Sequence, residues 1–494
     1  MDQKEKRYPQ LAPELRSRKI SHFLTFFGPG AIIASVTIGS GETVWASRSG
    51  AIFGYAMFWA FSLFCITKGV QVYSAARYMT LTGEHPMERW AFLPGPKMWF
   101  PGFIGLVLII AFPFYLSSLP IMLGSISSWI LFDDPGKYAH LIALAFIVFL
   151  IFLTLRQTYG FLEHVQSLII GVMLIVMLIA AIAVKPDWVA VLLGSVLPQF
   201  PEYPGWVVKN PSFVDRTLII ELVAYMGVMG GGVQDYVGYV GMLREKAWGL
   251  IGRVKEGPRN KSELKPIPIS VDPENIALGK GWLKAPLIDT VVSFSSVFIF
   301  TGAFLILGAT LLNPREIVPS GMNLYNHQVI FLTELHPGET VKLLLAGLYK
   351  AGVLVAIFGT VYGAYELYVR TTYECVRTLS PKLRDLRLDK VRIWILTYTG
   401  IAGSLLVLVA WWTAVKDPEG GGWNPISIMT IPLHVTGVLL AGPWCFAMIW
   451  ADRKFLPKPF QMNGFLVVMN IVCGVAFVVF GVLAVYDDIQ SLIG

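Results

Sequence analysis

The sequence predicts an all-α integral membrane protein with about eleven transmembrane helices. Of its 494 residues, 55% are hydrophobic and only 14% are charged, whereas a soluble domain has about 45 to 50% apolar residues. The mean hydropathy is +0.62. The apolar residues form blocks of about 20, long enough for a helix to cross a hydrocarbon layer of about 30 Å. Charges fall mostly between the blocks, where they avoid burial in lipid.

The ends of the spans follow from the Pro, Gly and charged residues that bound the apolar blocks. The predicted spans are 23–50, 54–80, 103–132, 139–155, 162–184, 217–243, 286–313, 340–369, 392–414, 425–450 and 462–486. We expect the first span to act as the membrane signal, because residues 1–22 are polar and basic and lack the apolar core of a cleavable signal peptide.

Lys and Arg residues predict the orientation. They collect in the N-terminal segment 1–22, in the loop 244–285 and after the eighth span, which all lie on one side of an eleven-span bundle. By the positive-inside rule this side is the cytoplasm, so the connection 185–216 and the short C-terminus of the segment 451–494 are external. We expect a solvated cytoplasmic loop at 244–285, with a surface helix or lipid-headgroup contact as the alternative, and a multi-pass location in the cell membrane, plasma or inner.

Charge and cysteine content exclude two other classes of protein. The formal charge is +7, but the basic residues are spread over several loops rather than along one stripe, so nucleic acid is not an expected partner. The four cysteines, Cys65, Cys375, Cys445 and Cys473, show no pairing or metal-ligand spacing. We therefore expect neither a disulfide framework nor a zinc site.

Two of the predicted spans contain a glycine cluster followed by a carboxylate. The clusters are Gly39-Ser40-Gly41-Glu42 in the first span and Gly230-Gly231-Gly232-Val233-Gln234-Asp235 in the sixth. Each glycine costs a helix interior about 1 kcal/mol relative to alanine, so the clusters indicate interrupted helices. Because the two spans are five apart in order, they predict two inverted five-helix repeats, 23–184 and 217–450, with the eleventh helix appended.

These interruptions are the predicted substrate site. An unwound stretch frees carbonyl oxygens, which suit cations, and the half-helix that follows begins with unpaired N–H groups that favour an acidic side chain. Glu42 and Asp235 are therefore candidate metal ligands, with proton carrier or helix cap as alternatives. The glycines alternatively permit close helix packing. The candidate binding residues are Gly39, Ser40, Gly41, Glu42, Gly230, Gly231, Gly232, Gln234 and Asp235.

An ordered set of short motifs resembles the NRAMP metal-ion transporters over about residues 20 to 485. The motifs are Gly28-Pro29-Gly30-Ala31, Phe53-Gly54-Tyr55, Ala75-Ala76-Arg77 with Leu81-Thr82-Gly83, Lys185-Pro186-Asp187-Trp188 with Gly194 and Pro198, and Ile288-Asp289-Thr290. The resemblance implies a LeuT-like fold with discontinuous helices 1 and 6. In typical members it also implies proton-coupled uptake of manganese or iron.

The sequence departs from that family at the metal site. The Asp-Pro-Gly-Asn motif of span one lines up with residues 39–42, so glycine replaces the ligand Asp and Glu42 replaces the Asn. Glycines replace the Met-Pro-His stretch of span six, where Met229 is a candidate soft ligand in one register and a glycine takes its place in another. Relatives that carry magnesium also lack the Met and use a roomier site for a hydrated ion, so Mg²⁺ is expected ahead of Mn²⁺ or Fe²⁺.

Three further polar residues form a candidate proton pathway. Arg48 lines an outer vestibule in one interpretation and belongs to a structural ion pair in the other. Glu366 helps an ion or proton to leave, or pairs with Arg370 at i+4. His434 is a lone intramembrane histidine, either a proton relay or a satisfied core residue.

Two acidic residues are expected to serve structure rather than transport. Glu221, near the start of span six, is expected to be exposed at the outer interface. Asp289 is expected to cap the start of span seven. Neither enters the predicted substrate site.

The sequence predicts a transporter rather than an enzyme. It contains no nucleotide-binding loop, metalloprotease helix or hydrolase nucleophile elbow, so we expect no cofactor and an ion gradient as the energy source. The first hypothesis is a secondary active transporter of a divalent metal cation by alternating access. The alternatives are a transporter of a small organic solute such as an amino acid, and a membrane sensor. The expected partners are the lipid bilayer and the small substrate; monomer and homodimer both stay open.

Overall fold

Long helices make up most of the described chain. The computed structural model describes residues 5–16, 19, 25–156, 159–209, 217–253, 266–319, 324–380, 383, 386–416 and 422–493. We label these helices α1 to α11 in chain order. Each of the eleven predicted spans overlaps one of them, except that the sixth span is divided into the two half-helices α6a and α6b. Their bounds are α1 (29–53), α2 (Phe58–Thr82), α3 (Trp99–Phe132), α4 (Ala139–Leu155), α5 (Tyr159–Ala183), α6a (Leu218–Val228), α6b (Val233–Met242), α7 (284–312), α8 (Glu339–Leu379), α9 (Leu388–Lys416), α10 (Pro425–Phe455) and α11 (Gly464–Ile493).

Short helices connect the long ones. They are Pro13–Arg16, Pro86–Trp90, Trp188–Val196, Gly205–Val208, Pro273–Trp282, Leu324–Gln328 and Ile330–Thr333. Within the described residues, six helices are long and apolar enough to cross a membrane by length and composition. They are Trp99–Phe132, Pro273–Arg315, Glu339–Leu379, Leu388–Lys416, Pro425–Phe455 and Gly464–Ser491. The total of eleven spans stays a prediction.

Three long helices widen into π-helix in the described part of the chain. The π-helical segments are Ile38–Ala46 in α1, Gly308–Leu312 in α7 and Leu433–Leu439 in α10. A π-helix keeps its hydrogen bonds from residue i to i+5 and is often found at functional sites. The predicted interruption of α1 is therefore a widened helix and not an unwound one. Its backbone stays wound, so its carbonyls are less free than the glycine cluster suggested.

The two interrupted elements lie at the centre of the bundle. The first α-helical part of α1 contacts α5, α7 and α8, and its π-helical part contacts α7 and α8. The half-helix α6a contacts the π-helical part of α10, and α6b contacts α8. α1, α3, α6, α8 and α10 surround the candidate site.

Part of the loop predicted to be solvated is folded. Residues 254–265 lie outside the described residues, but Pro273–Trp282 is a helix with Asp272 as its N-cap and Pro273 at its first position, a favourable start for a helix. It packs on the N-terminal segment, where Lys6 forms a β-bridge with Ile269. The Trp282 indole donates to the carbonyl of Pro9 at 2.9 Å. Residues 266–282 of the predicted 244–285 loop are therefore folded, and they contain the surface helix that was the alternative for this loop.

The C-terminal helix α11 runs past its predicted end at residue 486. Gly464–Ile493 is one helix, and it includes both terminal aspartates. The Asp487 carboxylate accepts a hydrogen bond from the hydroxyl of Thr217 at 2.9 Å. The last turns of α11 thus contact the start of α6a.

Candidate functional site

The sixth helix is interrupted by two glycines with left-handed backbone. Gly230 has φ +64° and Gly231 has φ +79°, a region that glycine enters without steric cost. A Cβ on Gly230 would lie 2.5 Å from the Phe294 ring, and one on Gly231 would lie 2.7 Å from the Asp235 carboxylate. The sequence prediction of a break holds here, because no other residue type fits both the backbone angles and the space.

Asp235 caps the second half-helix with one of its two oxygens. Its Oδ2 accepts hydrogen bonds from the Gly232 amide and the Gln234 side-chain amide, both at 2.9 Å. Its Oδ1 and the Oε1 of Gln234 are buried and have no hydrogen-bond partner among the described residues. Leaving a buried acceptor unpaired costs about 1 to 3 kcal/mol. The two oxygens therefore fit a cation, or a donor such as water, as their missing partner.

These residues border a small cavity where α1, α3, α6, α8 and α10 meet. Its volume is about 30 Å³, which is room for about one or two water molecules. It is lined by Val36, Thr37, Gly41, Tyr115, Leu119, Gly227, Val228, Gly231, Gln234, Asp235, Tyr368, Met429 and Leu433. A divalent ion with a full hydration shell needs several times this space, so the roomy pocket expected from the glycines is absent from this conformation.

The glycines of α1 serve close helix packing. A Cβ on Gly39 would lie 2.0 Å from the hydroxyl of Thr360 on α8, and one on Gly41 would lie 2.1 Å from a methyl group of Val228 on α6a. Gly41 also borders the cavity. The packing alternative therefore describes Gly39. The side chains of Ser40 and Glu42 lie outside the described part of the structure, so their predicted roles stay predictions.

Close packing also accounts for Gly232. A Cβ there would lie 2.8 Å from the Cα of Gly437 in α10, and one on Gly437 would lie 2.6 Å from the carbonyl oxygen of Gly227. Small residues let backbones approach in this way. The break in α6 is thus pressed directly against the π-helical part of α10.

Met229 faces away from the cavity. It is buried, and its sulfur accepts a hydrogen bond from the hydroxyl of Thr301 on α7 at 3.5 Å. It is not among the cavity-lining residues. The arrangement therefore differs from the predicted one, in which the Met229 thioether is a soft metal ligand.

Arg48 forms a buried ion pair across the bundle. Its guanidinium donates to the Glu221 carboxylate at 2.9 and 3.4 Å, and both residues are almost fully buried. The expected exposure of Glu221 at the outer interface is therefore wrong. The ion-pair alternative for Arg48 describes the structure, because a buried guanidinium needs a carboxylate partner.

Glu366 pairs with a residue from another helix. Its carboxylate accepts from the guanidinium of Arg392 on α9 at 2.5 Å, and Arg392 also donates to the carbonyl of Thr154. Arg370 pairs with Glu245 at 2.8 Å. The predicted Glu366–Arg370 pair is therefore wrong, because each side chain reaches a partner outside its own helix.

His434 has an acidic neighbour that the sequence did not reveal. Its Nδ1 lies 2.7 Å from the Asp488 carboxylate of α11, and His434 is completely buried. Its Nε2 has no hydrogen-bond partner among the described residues. His434 is thus one member of a pair rather than a lone histidine, a finding that depends on α11 extending beyond residue 486.

Asp289 caps a different helix from the one predicted. It lies inside α7, completely buried, and accepts hydrogen bonds from the Gly28 and Gly30 amides at the start of α1. The hydroxyl of Tyr239 on α6b also donates to it at 2.7 Å. Asp289 therefore caps α1 and not α7 as predicted. The sequence could not show this, because only the fold brings the two helices together.

Sequence reasoning missed Lys68. It lies in the middle of α2 and is completely buried. Its ammonium donates to the carbonyl oxygens of Gly231 at 2.5 Å, Gly437 at 2.8 Å and Gly227 at 3.3 Å. A lysine within a predicted span is a functional signal in itself, so position alone was enough to single it out.

A family model settles the relationship of this chain to known proteins. Residues 30–487 match the family described as natural resistance-associated macrophage protein-like, Nramp. The chain belongs to the Nramp family. The predicted resemblance is thereby confirmed, and with it a multi-pass membrane location and a place among transporters rather than enzymes.

Solved structures agree on the fold of this Nramp protein. The Eremococcus coleocola manganese transporter in complex with an aromatic bis-isothiourea substituted compound matches with a TM-score of 0.69 and 14% sequence identity, covering 96% of this chain and 88% of that chain. Two mutants of the same transporter match with a TM-score of 0.68 each, with the same identity and coverage. No curated protein sequence matches. The predicted all-helical fold is confirmed, and it is the fold of this manganese transporter.

The Nramp site described here holds few acidic groups. Among the described residues, no group of three or more His, Cys, Asp or Glu side chains is placed to hold a metal ion. An ion in the cavity would therefore be held by Asp235, an amide oxygen and water. A second cavity, of about 1090 Å³, lies between α2, α7 and α11 and contains none of the predicted site residues.

Proposed function

We propose that this Nramp protein is a secondary active transporter that carries a divalent metal cation by alternating access, with Asp235 and Gln234 as ligands. The observation that carries the proposal is the pair of unpartnered buried oxygens, Asp235 Oδ1 and Gln234 Oε1, at a cavity beside the broken helix. A cation satisfies both acceptors and offsets the carboxylate charge. The structural relative is a manganese transporter, which supports the same substrate class.

The donor atoms favour Mg²⁺ over Mn²⁺ or Fe²⁺. Carboxylate and amide oxygens are hard ligands, and the two nearby thioethers have other partners. Met229 accepts a hydrogen bond from Thr301, and Met429, which borders the cavity, accepts one from Ser118 at 3.3 Å. Softer ions gain from sulfur ligands, whereas Mg²⁺ is held by a few oxygens and keeps several waters. A cavity of about 30 Å³ cannot hold those waters. We therefore propose that the ion enters in a conformation in which α1 has moved away from α6a, and that Glu42 joins the ligands there.

The alternative function, transport of a small organic solute, has weaker support. Binding an amino acid would require a free helix N-terminus for its carboxylate, but the amide of Gly232 is already capped by Asp235. The cavity also lacks the volume for an amino acid. Thermal stabilisation of the purified protein by amino acids but not by divalent cations would reverse this preference.

The ion site is tested by binding and flux measurements on the purified protein. Titration calorimetry with Mg²⁺, Mn²⁺ and Ca²⁺ should show saturable binding that Asp235→Asn weakens at least about tenfold, the loss expected from about 1.4 kcal/mol of charge-assisted coordination. Vesicle uptake should fall in parallel.

The matched control is Asp187→Asn. Asp187 also caps a helix, accepting from the amides of Val189 and Ala190, but it is exposed and remote from the cavity. It should leave binding unchanged. Wild-type affinity in Asp235→Asn would contradict the proposed site, and binding without vesicle flux would favour the sensor.

A further inference from the structure

Lys68 occupies a set of backbone carbonyls that belongs to two other helices. Gly227 is at the end of α6a, Gly231 is in the break, and Gly437 is in the π-helical part of α10. An ammonium group has three N–H donors, and each of the three carbonyls accepts from it. The side chain of α2 thus ties the broken helix to α10 through a buried positive charge.

The surroundings of the ammonium resemble a binding site for a monovalent cation. Carbonyl oxygens freed by a break in a helix are the ligands by which transporters hold Na⁺ and channels hold K⁺. Two aromatic rings add to the cage, because the Lys68 nitrogen lies 5.9 Å from the Tyr236 ring centre and 5.8 Å from that of Phe477. Ring faces attract a cation at about 6 Å.

We propose that the α2–α6–α10 junction is a monovalent-cation site that the Lys68 ammonium fills permanently. Lys68 then supplies the charge that a coupled Na⁺ or K⁺ would bring, so the transport cycle uses neither ion. It also withdraws the Gly227 and Gly231 carbonyls from the divalent substrate, which leaves Asp235 and Gln234 to bind it. Lys68 is a positioning residue, since it touches the break and not the cavity.

Thermal unfolding of Lys68→Ala in different salts tests the site directly. The purified variant is compared in choline, Na⁺, K⁺ and NH₄⁺ chlorides without any divalent ion. Removal of the side chain empties the carbonyl cage, so Tm should fall in choline and rise again, saturably, with NH₄⁺ or Na⁺. The wild type and Lys68→Arg, which keep the charge, should respond equally to all four salts.

Gln71→Ala is the matched control. Gln71 lies three residues further along α2, is also buried, and donates to the Ala441 carbonyl of α10 at 2.8 Å. It carries no charge, so its loss should lower Tm without any selective rescue by a cation. An equal response of Lys68→Ala to every salt, or the same rescue in Gln71→Ala, would overturn the proposal.

A measurement on the unmodified protein covers the case in which Lys68→Ala does not fold. Divalent-ion uptake into vesicles should proceed at equal rates in choline, Na⁺ and K⁺. A requirement for Na⁺ or K⁺ would overturn the filled site, whatever the variants do. The uptake measurement rests on the proposed function, because it requires transport of a divalent ion. The Tm measurements contain no divalent ion. Failure of the Lys68 proposal can therefore be distinguished from failure of the proposed function.

Discussion

One carboxylate oxygen of Asp235 caps a helix, and the other is the proposed ligand of the substrate. Oδ2 completes the cap of α6b through the Gly232 amide, and Oδ1 is left without a described partner at the cavity. The two alternatives raised by the sequence, cap and ligand, are therefore compatible in a single residue. Substitution by asparagine keeps an acceptor for the cap while removing the charge, which makes Asp235→Asn a test of the ligand role.

The buried ion pair between Arg48 and Glu221 depends on these two side chains alone. We expect Arg48→Met to lower the free energy of unfolding by about 3 to 5 kcal/mol, since it leaves a buried carboxylate uncompensated. The double variant Arg48→Met/Glu221→Leu should recover most of this loss. The measurement is the Tm of each purified variant together with its uptake rate.

The double variant separates the two roles considered for Arg48. If the pair is structural, the double variant transports at nearly the wild-type rate once its stability returns. Recovered stability without transport would place Arg48 on the ion or proton path. A double variant as unstable as the single one would contradict the ion-pair explanation.

In the described part of this protein, terminal and interrupted stretches of helix depend on partners from other elements. The start of α1 is capped by Asp289 of α7, and the break in α6 is tied to α10 by Lys68 of α2. The π-helical part of α10 is joined to α11 by the pair of His434 and Asp488. Orphan N–H and C=O groups at helix ends require a partner inside a membrane, where water is scarce. The interrupted helices are therefore held by neighbours that are distant in sequence.

The cap of α1 gives a prediction at this scale. Asp289→Ala removes the acceptor of two amides and of the Tyr239 hydroxyl, so we expect a loss of about 1 to 3 kcal/mol. The expected observation is a lower Tm and weaker divalent-ion binding, because α1 borders the cavity. Thr290→Ala is the control, since its buried hydroxyl has no hydrogen-bond partner among the described residues. Equal effects of the two substitutions would contradict the cap.

At the scale of the whole molecule, the N-terminal segment and the last part of the 244–285 loop lie together. The N-terminal segment and residues 266–282 pack on one another through the Lys6–Ile269 bridge and the hydrogen bond from the Tyr8 amide to Asn275. Two segments on the same side of a membrane must be separated by an even number of spans. Six predicted spans lie between the N-terminal segment and residues 266–282, which meets this condition. We propose that this side is the cytoplasm, following the positive-inside rule.

Cysteine labelling of intact cells tests the orientation. The native cysteines, Cys65, Cys375, Cys445 and Cys473, are all buried, so background labelling should be low. An impermeant maleimide should label Glu202→Cys, in the connection predicted to be external, before permeabilisation and Gln10→Cys only after it. Both positions are exposed. The reverse pattern would mean the opposite orientation.

The sequence alone determined the membrane class, the positions of the long helices, the break at Gly230 and Gly231, and the family, because apolar length and glycine placement are local properties of the chain. It also singled out Asp235. The tertiary structure alone decided the partners: Glu221 for Arg48, Arg392 for Glu366, Asp488 for His434, and α1 for Asp289. A buried charge takes whichever opposite group the packing brings within reach, and packing joins residues from opposite ends of the chain. The contacts of Lys68 could likewise not be predicted from the sequence, since its ammonium binds three carbonyl oxygens that belong to two other helices.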